Sequence, residues 1–476
     1  MENQQTTTDF KLSSVQIYPV GWEGDPTSIT QMVTDFSYCE SITSPMVAAT
    51  MSIVDSAGLL NGIGKSKVPL QGTETVEVKI EAHGLDDIIL YRLKVWKLAN
   101  RMLKNQKQTY TLGLVSEEAL TNEVTRVEKK FSENPESIVK KMIKQFLTSS
   151  KTVYAEPSAW DVYLTPQRKR PFDVIADVCV KSVSSNTTYE SDGESSDEKT
   201  VKSVRGSAGF FFWETRRGYN FFSVDSLCAE DGHPLKHERL STEPHKAYEE
   251  RLANTDNVED DKYIILDASF SGEIDIMSAL RKGRYSSLMA FFNHTTGQYE
   301  EYTYNINDSY SNMAHLGGQQ SMTLLPVNQK SLTKKPSRIM SSIIDHEAFF
   351  NGPKPASPDE GDGSKDPTKF PDWQKFYAAQ SLTRYQLLRN QIGTVVIPGN
   401  CAICAGDKID LRFVNKAPSA DIEKNPHDKE TSGVYLIEEV THTYECKKGA
   451  NGRFITTVRL MRDSYGMPGE ESGHDN

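Results

Sequence analysis

The chain has 476 residues, enough for two to four domains of roughly 100–200 residues each. A hydrophobic fraction of 37% and a charged fraction of 25% are typical of a soluble globular protein and exclude a disordered chain. The formal net charge of -11 argues against a protein that grips nucleic acid regardless of sequence, because phosphate contacts require Lys and Arg.

Targeting and membrane signals are not seen in the sequence. No stretch approaches the ~20 apolar residues of a membrane-spanning helix, so no membrane anchor is expected. The segment from Met1 to Asp9 has neither a basic start nor an apolar centre, so it does not resemble a signal peptide. Six cysteines over this length favour a reducing compartment, which predicts assembly in a cytoplasm.

The first segment, 1–116, is predicted to be a small antiparallel β-barrel or sandwich. Apolar residues alternate with polar ones, which indicates strands with one buried face. Turn signals at Gly58 to Gly64, at Gly72 and at Lys104-Asn105-Gln106 separate them. The alternating sets are Val47/Ala49/Met51/Ile53, Val76/Val78/Ile80, Tyr91/Leu93/Val95 and Tyr110/Leu112/Leu114.

The segment 117–208 is predicted to be a helical insertion. Asn134-Pro135 supplies an N-cap and a first-turn proline, and apolar residues from Ile138 to Leu147 follow at helical spacing. A second helix is predicted to begin at Pro171. The Ser/Asp/Glu-rich stretch 184–200 is predicted to be an exposed, mobile loop.

Strands resume after this insertion. Gly209 to Glu214 and Tyr219 to Val224 are predicted to form a hairpin around Thr215-Arg216-Arg217-Gly218. A second insertion, 306–384, contains a Pro/Gly-rich surface loop at 352–372, and a helix is predicted from Asp372 to Arg389. The segment 466–476 is an acidic tail. Further strands are predicted at 262–270, 287–293, 299–305, 392–397, 407–413, 433–444 and 453–462.

The two ends of the ordered chain share a pattern. Gly72 to Ile80, followed by strands at 90–93 and 111–116, resembles Gly406 to Phe413, followed by strands at 434–437 and 457–462. One interpretation is that any two antiparallel hairpins look alike. The other is that the chain holds two related tube-like barrels, the second discontinuous and built from 209–305 and 385–465. The predicted fold class is therefore mostly β with α insertions (α+β).

Each candidate chemical motif in the sequence lacks a feature that its chemistry requires. Cys401-Ala402-Ile403-Cys404 lacks the second ligand pair that a zinc site needs, and it lies between strands rather than at a helix N-terminus. Asp345-His346-Glu347 lacks the spacing of a zinc protease, and the glycines of 58–64 lack that of a phosphate-binding loop. No catalytic, cofactor-binding or metal-binding residue is therefore predicted, and no cofactor.

Two further runs have non-chemical explanations. The basic run Arg168-Lys169-Arg170 could touch a partner's acidic surface, but a solvated flank of the following helix explains it better. The aromatic run Phe210 to Trp213 could stack on bases. Consecutive aromatic residues put side chains on both faces of a strand, which favours a strand buried on both sides or in a subunit interface.

Several stretches, in their order along the chain, resemble the baseplate central hub proteins of T-even-like contractile-tailed phages (the myophage tail hub family). The resemblance spans roughly 30–465. Val396-Ile397-Pro398-Gly399-Asn400 followed by Gly406-Asp407-Lys408-Ile409 is similar to a loop found across tail hub proteins, including those of type VI secretion spikes. The other stretches are Tyr110 to Val127, Arg170 to Ile175, Gly209 to Phe222, Arg384 to Phe413, Gly433 to Ile437 and Gly452 to Arg462.

The resemblance implies a structural, non-enzymatic protein of the virion tail. It implies a homotrimer in which two barrels per chain make a pseudo-six-fold ring, which adapts a hexameric tail tube to a trimeric central spike. The expected partners are the tail tube protein, the trimeric spike protein, and the tape measure and wedge proteins. DNA only passes through the central channel, which suits the acidic charge. The long hairpins near 91–114 and 434–460 are the candidate tube contacts.

Three alternatives stay open. A tail-associated cell-wall hydrolase would need a pair of catalytic carboxylates in a cleft, and no fused lytic module is visible. A hub and spike in one chain, as in secretion-system or pyocin-like spikes, would need a repetitive β-helix extension, which the sequence lacks. A carbohydrate-binding tail module would expose aromatic residues on a concave face.

Overall fold

The computed structural model describes residues 9–20, 26–56, 58, 60, 70–82, 88–104, 107–158, 161–185, 208–229, 237–241, 264–271, 275–294, 297–308, 310, 313–317, 335–343, 373–414, 427–428, 430–446 and 452–464. The mostly β class is confirmed. The strands are β1 (Asp9–Tyr18), β2 (Thr27–Ser28), β3 (Val33–Ser41), β4 (Ala48–Asp55), β5 (Thr75–Ala82), β6 (Ile89–Lys104), β7 (Lys107–Val115), β8 (Phe131–Glu133), β9 (Val153–Ala155), β10 (Val162–Leu164), β11 (Phe210–Thr215), β12 (Gly218–Ser223), β13 (His237–Ser241), β14 (Asp267–Ser271), β15 (Ser286–Phe292), β16 (Tyr299–Asn305), β17 (Arg338–Ile343), β18 (Gln391–Pro398), β19 (Lys408–Arg412), β20 (Gly433–Glu445) and β21 (Gly452–Arg462).

Helices are fewer and most are short. Both predicted helices of the first insertion form, and the first continues into a π-helical turn at Met142–Phe146. No helix within the described ranges is long and apolar enough to cross a membrane. The helices are α1 (Glu117–Val124), α2 (Pro135–Lys141), α3 (Pro171–Lys181), α4 (Val224–Cys228), α5 (Ile276–Arg281) and α6 (Trp373–Leu387).

The first strand set closes into a ring with the help of the far end of the chain. Its hydrogen-bonded order is β3-β4-β7-β6-β5-β1. The hairpin β20–β21 then joins the two outer strands, since β20 pairs with β3 and β21 pairs with β1. Every neighbouring pair in this ring is antiparallel.

The second strand set uses the other half of the same hairpin. Its order is β14-β18-β21-β20-β19-β13. The apolar side chains of its strands fill a separate core, which includes Val395, Ile409, Tyr435 and Val458. The hairpin β20–β21 therefore belongs to both sets, its base to the second and its tip to the first.

The two sets repeat one strand order. Taken in chain order, β1, β3, β4, β5, β6 and β7 occupy the places that β13, β14, β18, β19, β20 and β21 occupy in the second set. Even an irregularity recurs. The register of β6 against β7 shifts between Val95 and Lys97, and that of β20 against β21 shifts between Ile437 and Glu439. Such bulges are specific features of a strand pair, so the repeat extends beyond two hairpins that merely look alike.

One strand breaks the correspondence. β1 runs antiparallel to β5, whereas β13 runs parallel to β19. The repeat therefore holds in position for all six strands and in direction for five.

Three small sheets lie outside the main one, and they correct the expected extent of the second set. β12 pairs with β11 and with β9, β15 pairs with β16 and with β17, and β8 pairs with β10. Among the described strands of 209–305, only β13 and β14 join the main sheet. The physical reason is burial on both faces of β11–β12. Phe210 and Phe212 pack on the helical layer, and Trp213 packs on the second strand set, so the hairpin forms a middle layer.

The first insertion forms that helical layer. α2, its π-helical turn and α3 bury one apolar face each, made of residues such as Ile138, Met142, Phe172 and Ile175. The spacing of these residues places them on one side of each helix, as the sequence predicts. Most of the predicted loop 184–200, the loop 352–372 and the tail 466–476 lie outside the described residues.

Candidate assembly interface

The joint between the two strand sets is a continuous strand pairing within one chain. β20 contributes Glu439–Glu445 and β3 contributes Asp35–Ser41, in seven residue pairs. β21 adds two pairs with β1. The chain thus shows how the tip of one hairpin extends a neighbouring sheet, as in recognition by strand addition.

Aromatic side chains fill the interior of this joint. Tyr444 of β20 stacks on Phe454 of β21 with ring centroids 4.3 Å apart. The Tyr444 hydroxyl lies 3.0 Å from that of Tyr91 on β6, and its ring stacks on Phe36 of β3. Tyr444 and Phe454 are therefore part of the first core although they come from the far end of the chain.

A buried carboxylate fixes the joint to the middle layer. Glu40 of β3 accepts hydrogen bonds from the backbone N–H of Arg216 at 2.6 Å and of Ala405 at 3.1 Å. Burial raises the pKa of Glu40 to about 6, although these hydrogen bonds and the one from Tyr38 oppose the rise. Arg217 binds Asp407 through two hydrogen bonds of 2.8 and 2.9 Å. The loop 399–407 is therefore held between β3 and the β11–β12 turn.

Two more charge clusters tie the insertions to the strands. Lys151 lies between Glu118 and Glu214, and Glu214 also accepts a hydrogen bond from the backbone N–H of Val47 at 3.1 Å. Burial raises the pKa of Glu214, and Lys151 offsets this only in part. For Glu118, the attraction of Lys151 overcomes burial, so its pKa is lowered.

The second of these clusters surrounds Arg384 of α6, whose side chain is fully buried. It forms ion pairs of 2.8 Å with Asp225 and with Asp463. The imidazole Nδ1 of His315 lies 2.7 Å from the same Asp463 carboxylate. A buried charge without partners is costly, so this arrangement fixes α6 against the middle layer and the end of β21.

The cysteine motif lies inside the joint. Cys401 and Cys404 are buried, and the Cys401 sulfur lies 3.3 Å from the Tyr444 hydroxyl. Burial raises the pKa of Cys401 to about 11, the opposite of what a reactive thiol requires. Within the described ranges, no three His, Cys, Asp or Glu side chains are grouped so that they could hold a metal ion.

The other motifs noted in the sequence either have partners within this chain or lie outside the described residues. Arg168 pairs with Glu128, Lys169 with Asp177, and Arg170 with Glu123 and Asp173, all within this chain. The aromatic run Phe210 to Trp213 is largely buried, as expected for a strand covered on both sides. Asp345-His346-Glu347 and most of 58–64 lie outside the described residues.

The two long hairpins named as candidate contacts have different surroundings. The tip of β20–β21 is used inside the chain, as described above. On β6, pairing with β5 ends at Lys94, while pairing with β7 continues to Lys104. Within the described part of the chain, β7 is thus the sole strand paired with the outer segment of β6, Lys97–Leu103.

This outer segment is exposed and apolar. Trp96, just before it, is 54% exposed, and the segment itself exposes Leu98 (43%), Met102 (64%) and Leu103 (73%). Leu98 pairs with the fully buried Leu112 of β7 and shares its face of the hairpin. Leu112 is covered because β7 pairs with β4 on its other side. Among the described strands, the outer segment of β6 has no such second neighbour. A bare strand edge with apolar side chains is a site for pairing with another chain.

The hairpin is also strongly basic. Between residues 88 and 115 there are six basic residues and no acidic one, in a chain whose net charge is negative. Sequence reasoning named the hairpin but missed this charge and the apolar edge, although both are visible in the sequence. The basic residues are Arg92, Lys94, Lys97, Arg101, Lys104 and Lys107.

No protein-family model matches the sequence, and no curated protein matches it. Solved structures that are similar include a tail protein from Neisseria meningitidis, with 9% identity, a TM-score of 0.49 and coverage of 97% of this chain and 100% of that chain. A prophage tail protein from Shewanella oneidensis has 6% identity, a TM-score of 0.45 and coverage of 95% and 98%. A type VI secretion component from E. coli, described as structurally similar to tail proteins of bacteriophage T4, has 9% identity, a TM-score of 0.39 and coverage of 94% and 78%.

Proposed function

We propose that this chain is the central hub of a contractile phage tail baseplate. It is a structural protein of the virion, assembled in the host cytoplasm, and it forms a homotrimer. Each chain contributes two tube-like barrels, so three chains make a pseudo-six-fold ring. The ring joins the hexameric tail tube to the trimeric central spike, and DNA passes through its channel during genome ejection into the penetrated host cell.

The observation that carries this proposal is the repeated strand order. Six strands at the start of the chain and six later strands have the same neighbours and the same bulge. A subunit that is duplicated in this way can present six similar units with three-fold symmetry, which a six-to-three adapter requires. The sequence stretches that resemble tail hub proteins support the same function.

The buried polar groups support a structural role for the interior. Glu40, Glu214 and Asp463 are each satisfied by hydrogen bonds or ion pairs that join separate layers of the chain. Buried ionisable groups also occur in active sites, but these carboxylates hold the strand sets and insertions together. We therefore assign the chain no catalytic residue, and the tail tube, spike, tape measure and wedge proteins are its proposed partners.

The test is the oligomeric state and shape of the purified chain. Sedimentation over a range of concentrations should show a trimer. End-on electron microscopy of that species should show three-fold symmetry, six lobes and an open centre. A chain that stays monomeric throughout, or a ring of another symmetry, would contradict the hub function. Assays for cell-wall lysis and carbohydrate binding would then test the two alternatives.

A further inference from the structure

The second strand set leaves open a place that is filled in the first. In the first set, β20 covers the outer edge of β3. β14 is the counterpart of β3. β3 pairs antiparallel with β4, and β14 pairs antiparallel with β18, which occupies the place of β4 in the second set. Among the described strands, β14 pairs with β18 alone. Its outer edge is thus the equivalent of the edge that β20 covers.

The outer segment of β6 is the equivalent of the covering strand. The shared bulge aligns Lys97 with Glu439 and Ala99 with Thr441. A further register shift in β6, between Ala99 and Met102, then aligns Leu103 with Tyr444 and Lys104 with Glu445. The segment Glu439–Glu445 is the part of β20 that pairs with β3. The chain therefore contains one complete joint, the pairing of β20 with β3. It also contains the two strands that a second joint of the same kind would need, β6 and β14.

We propose that the outer segment of β6, Lys97–Leu103, pairs antiparallel with β14, Asp267–Ser271, of a second copy of this chain. This inference rests on the proposed function, because the contact closes a ring only if copies associate around a three-fold axis. The ring would then alternate three joints within chains and three joints between chains. Each joint adds a hairpin tip to the outer strand of the next sheet.

The internal joint also fixes the register of the proposed one. Cys39 pairs with Ala48, which pairs with Val115, just as Ser271 pairs with Ile392, which pairs with Met461. Ser271 is therefore the equivalent of Cys39. Within the chain, Cys39 pairs with Thr441, whose equivalent on β6 is Ala99. The proposed contact consequently places Ala99 opposite Ser271.

Burial gives a reason for the contact to form. At the internal joint, the side chains of Val440 and Tyr444 are fully buried. On the outer segment of β6, Leu98, Met102 and Leu103 are exposed. Removing large apolar side chains from water is favourable, so covering this edge favours association.

Charge favours the same partner. The hairpin region 88–115 carries six basic residues and no acidic one. The sequence that contains β14 has the opposite charge: between 252 and 275, Lys262 is the sole basic residue, against seven acidic ones. Opposite charges on two contacting surfaces speed association and select the partner. The acidic residues are Asp256, Glu259, Asp260, Asp261, Asp267, Glu273 and Asp275.

The direct test is a disulfide across the proposed pairing. Residues opposite each other in antiparallel strands have Cα atoms about 4.5–5.5 Å apart, which a disulfide can bridge. A full-length chain with Ala99→Cys and Ser271→Cys should form, on mild oxidation, a covalent trimer that reductant dissolves. The matched control is Ala99→Cys with Ser269→Cys. Residue 269 lies on the same face of β14 as residue 271, but its Cα would lie diagonally about 7–8 Å from that of residue 99, which is too far for a disulfide. The two single variants show the background from the six native cysteines.

The outcomes separate this contact from the hub function. A closed trimer from the matched pair alone supports the contact. A trimer by sedimentation without cross-linking in the matched pair overturns the contact and leaves the hub function standing. A parent chain that is monomeric at all concentrations overturns both.

A second pair of variants tests the surface without engineered cysteines. Leu98→Asp with Leu103→Asp puts charge on one face of the exposed edge, so the trimer should be lost while the far-ultraviolet circular dichroism spectrum stays unchanged. Val124→Asp on α1, at an 81% exposed position, should leave the trimer intact. Retention of the trimer in the double variant would overturn the contact.

Discussion

At the residue scale, buried ionisable groups mark the places where separate parts of the chain meet. Arg384 joins α6 to Asp225 and Asp463, and Glu40 joins β3 to the loop 399–407. Removing one partner of such a pair leaves an unpaired buried charge, which costs far more than losing a surface ion pair. These residues therefore help to hold the layers of the chain together.

His442 makes the joint sensitive to acid. It lies on the buried face of β20, with its Nδ1 3.0 Å from the Thr456 hydroxyl and its ring stacked over that of Tyr38. Burial, reinforced by the nearby positive charge of Arg216, lowers the pKa of His442 to about 3. The folded chain thus keeps this imidazole neutral under conditions in which the unfolded chain would protonate it.

We predict that His442 accounts for a measurable loss of stability in acid. Below pH 6.5 the unfolded state binds a proton that the folded state does not, so stability falls as the pH falls, down to the folded pKa. Between pH 6.5 and 4.5 the loss is roughly 2–3 kcal/mol at about 1.4 kcal/mol per pH unit. Chemical denaturation of the parent and of His442→Gln at both pH values measures it.

The comparison with His442→Gln is needed because Glu40 acts in the opposite direction. Its raised pKa of about 6 means that the folded state takes up a proton first, which stabilises the fold as the pH falls from 6 to 4.5. This contribution is common to parent and variant. An equal loss of stability in both proteins between pH 6.5 and 4.5 would show that His442 does not titrate as described.

At the element scale, β6 and β20 are equivalent strands in different surroundings. Both carry the same bulge, and both continue past their first partner, β5 or β19. β20 then meets β3, and its side chains become core. On the edge away from β7, the outer segment of β6 meets no described strand, and its side chains Leu98, Met102 and Leu103 stay exposed. The difference is made by neighbours rather than by strand propensity.

The loop after β18 depends on a close approach of backbone to ring. Gly399 accepts no side chain, since a Cβ there would lie 1.9 Å from Cδ1 of Phe454. The backbone N–H of Gly399 also donates to the carbonyl of Phe454 at 3.1 Å, which holds the two residues together. The glycine is therefore required by packing at this position.

We predict that Gly399→Ala destabilises the protein by about 1–3 kcal/mol, the usual cost of forcing an extra group into a packed core. The measurement is the shift of the urea unfolding midpoint. In a Phe454→Ala background the same glycine substitution should cost less, because the obstructing ring is gone. Equal costs in both backgrounds would mean that contact with Phe454 is not the cause.

At the scale of the whole molecule, the first ring depends on residues some 400 positions away in sequence. Tyr444 and Phe454 belong to its core, and the β20–β21 tip joins its outer strands. Neither strand set is complete without this shared hairpin. The boundary at residue 116 thus separates sequence patterns but not independent folding units.

We predict that the fragment 1–116 alone does not unfold cooperatively, because its ring lacks the closing strands and two core aromatic residues. Thermal unfolding followed by near-ultraviolet circular dichroism measures this. The matched control joins residues 433–462 to the fragment through a flexible linker, which should restore a cooperative transition. A fragment 1–116 that melts cooperatively by itself would show that the hairpin is dispensable for the first ring.

The sequence by itself marked many of the strands and helices, although it did not mark β1, β3, β13, β17 or α1. Alternation of apolar residues marks β4 to β7 and β18 to β21, and helical spacing marks α2 and α3, because local periodicity decides which face can be buried. It also revealed the likeness between the two ends of the chain. The tertiary structure alone decided that β11–β12 forms a middle layer and that the β20–β21 tip closes the first ring, while the equivalent edge of β6 meets no other described strand. These outcomes depend on contacts between residues far apart in the chain, which no local pattern encodes.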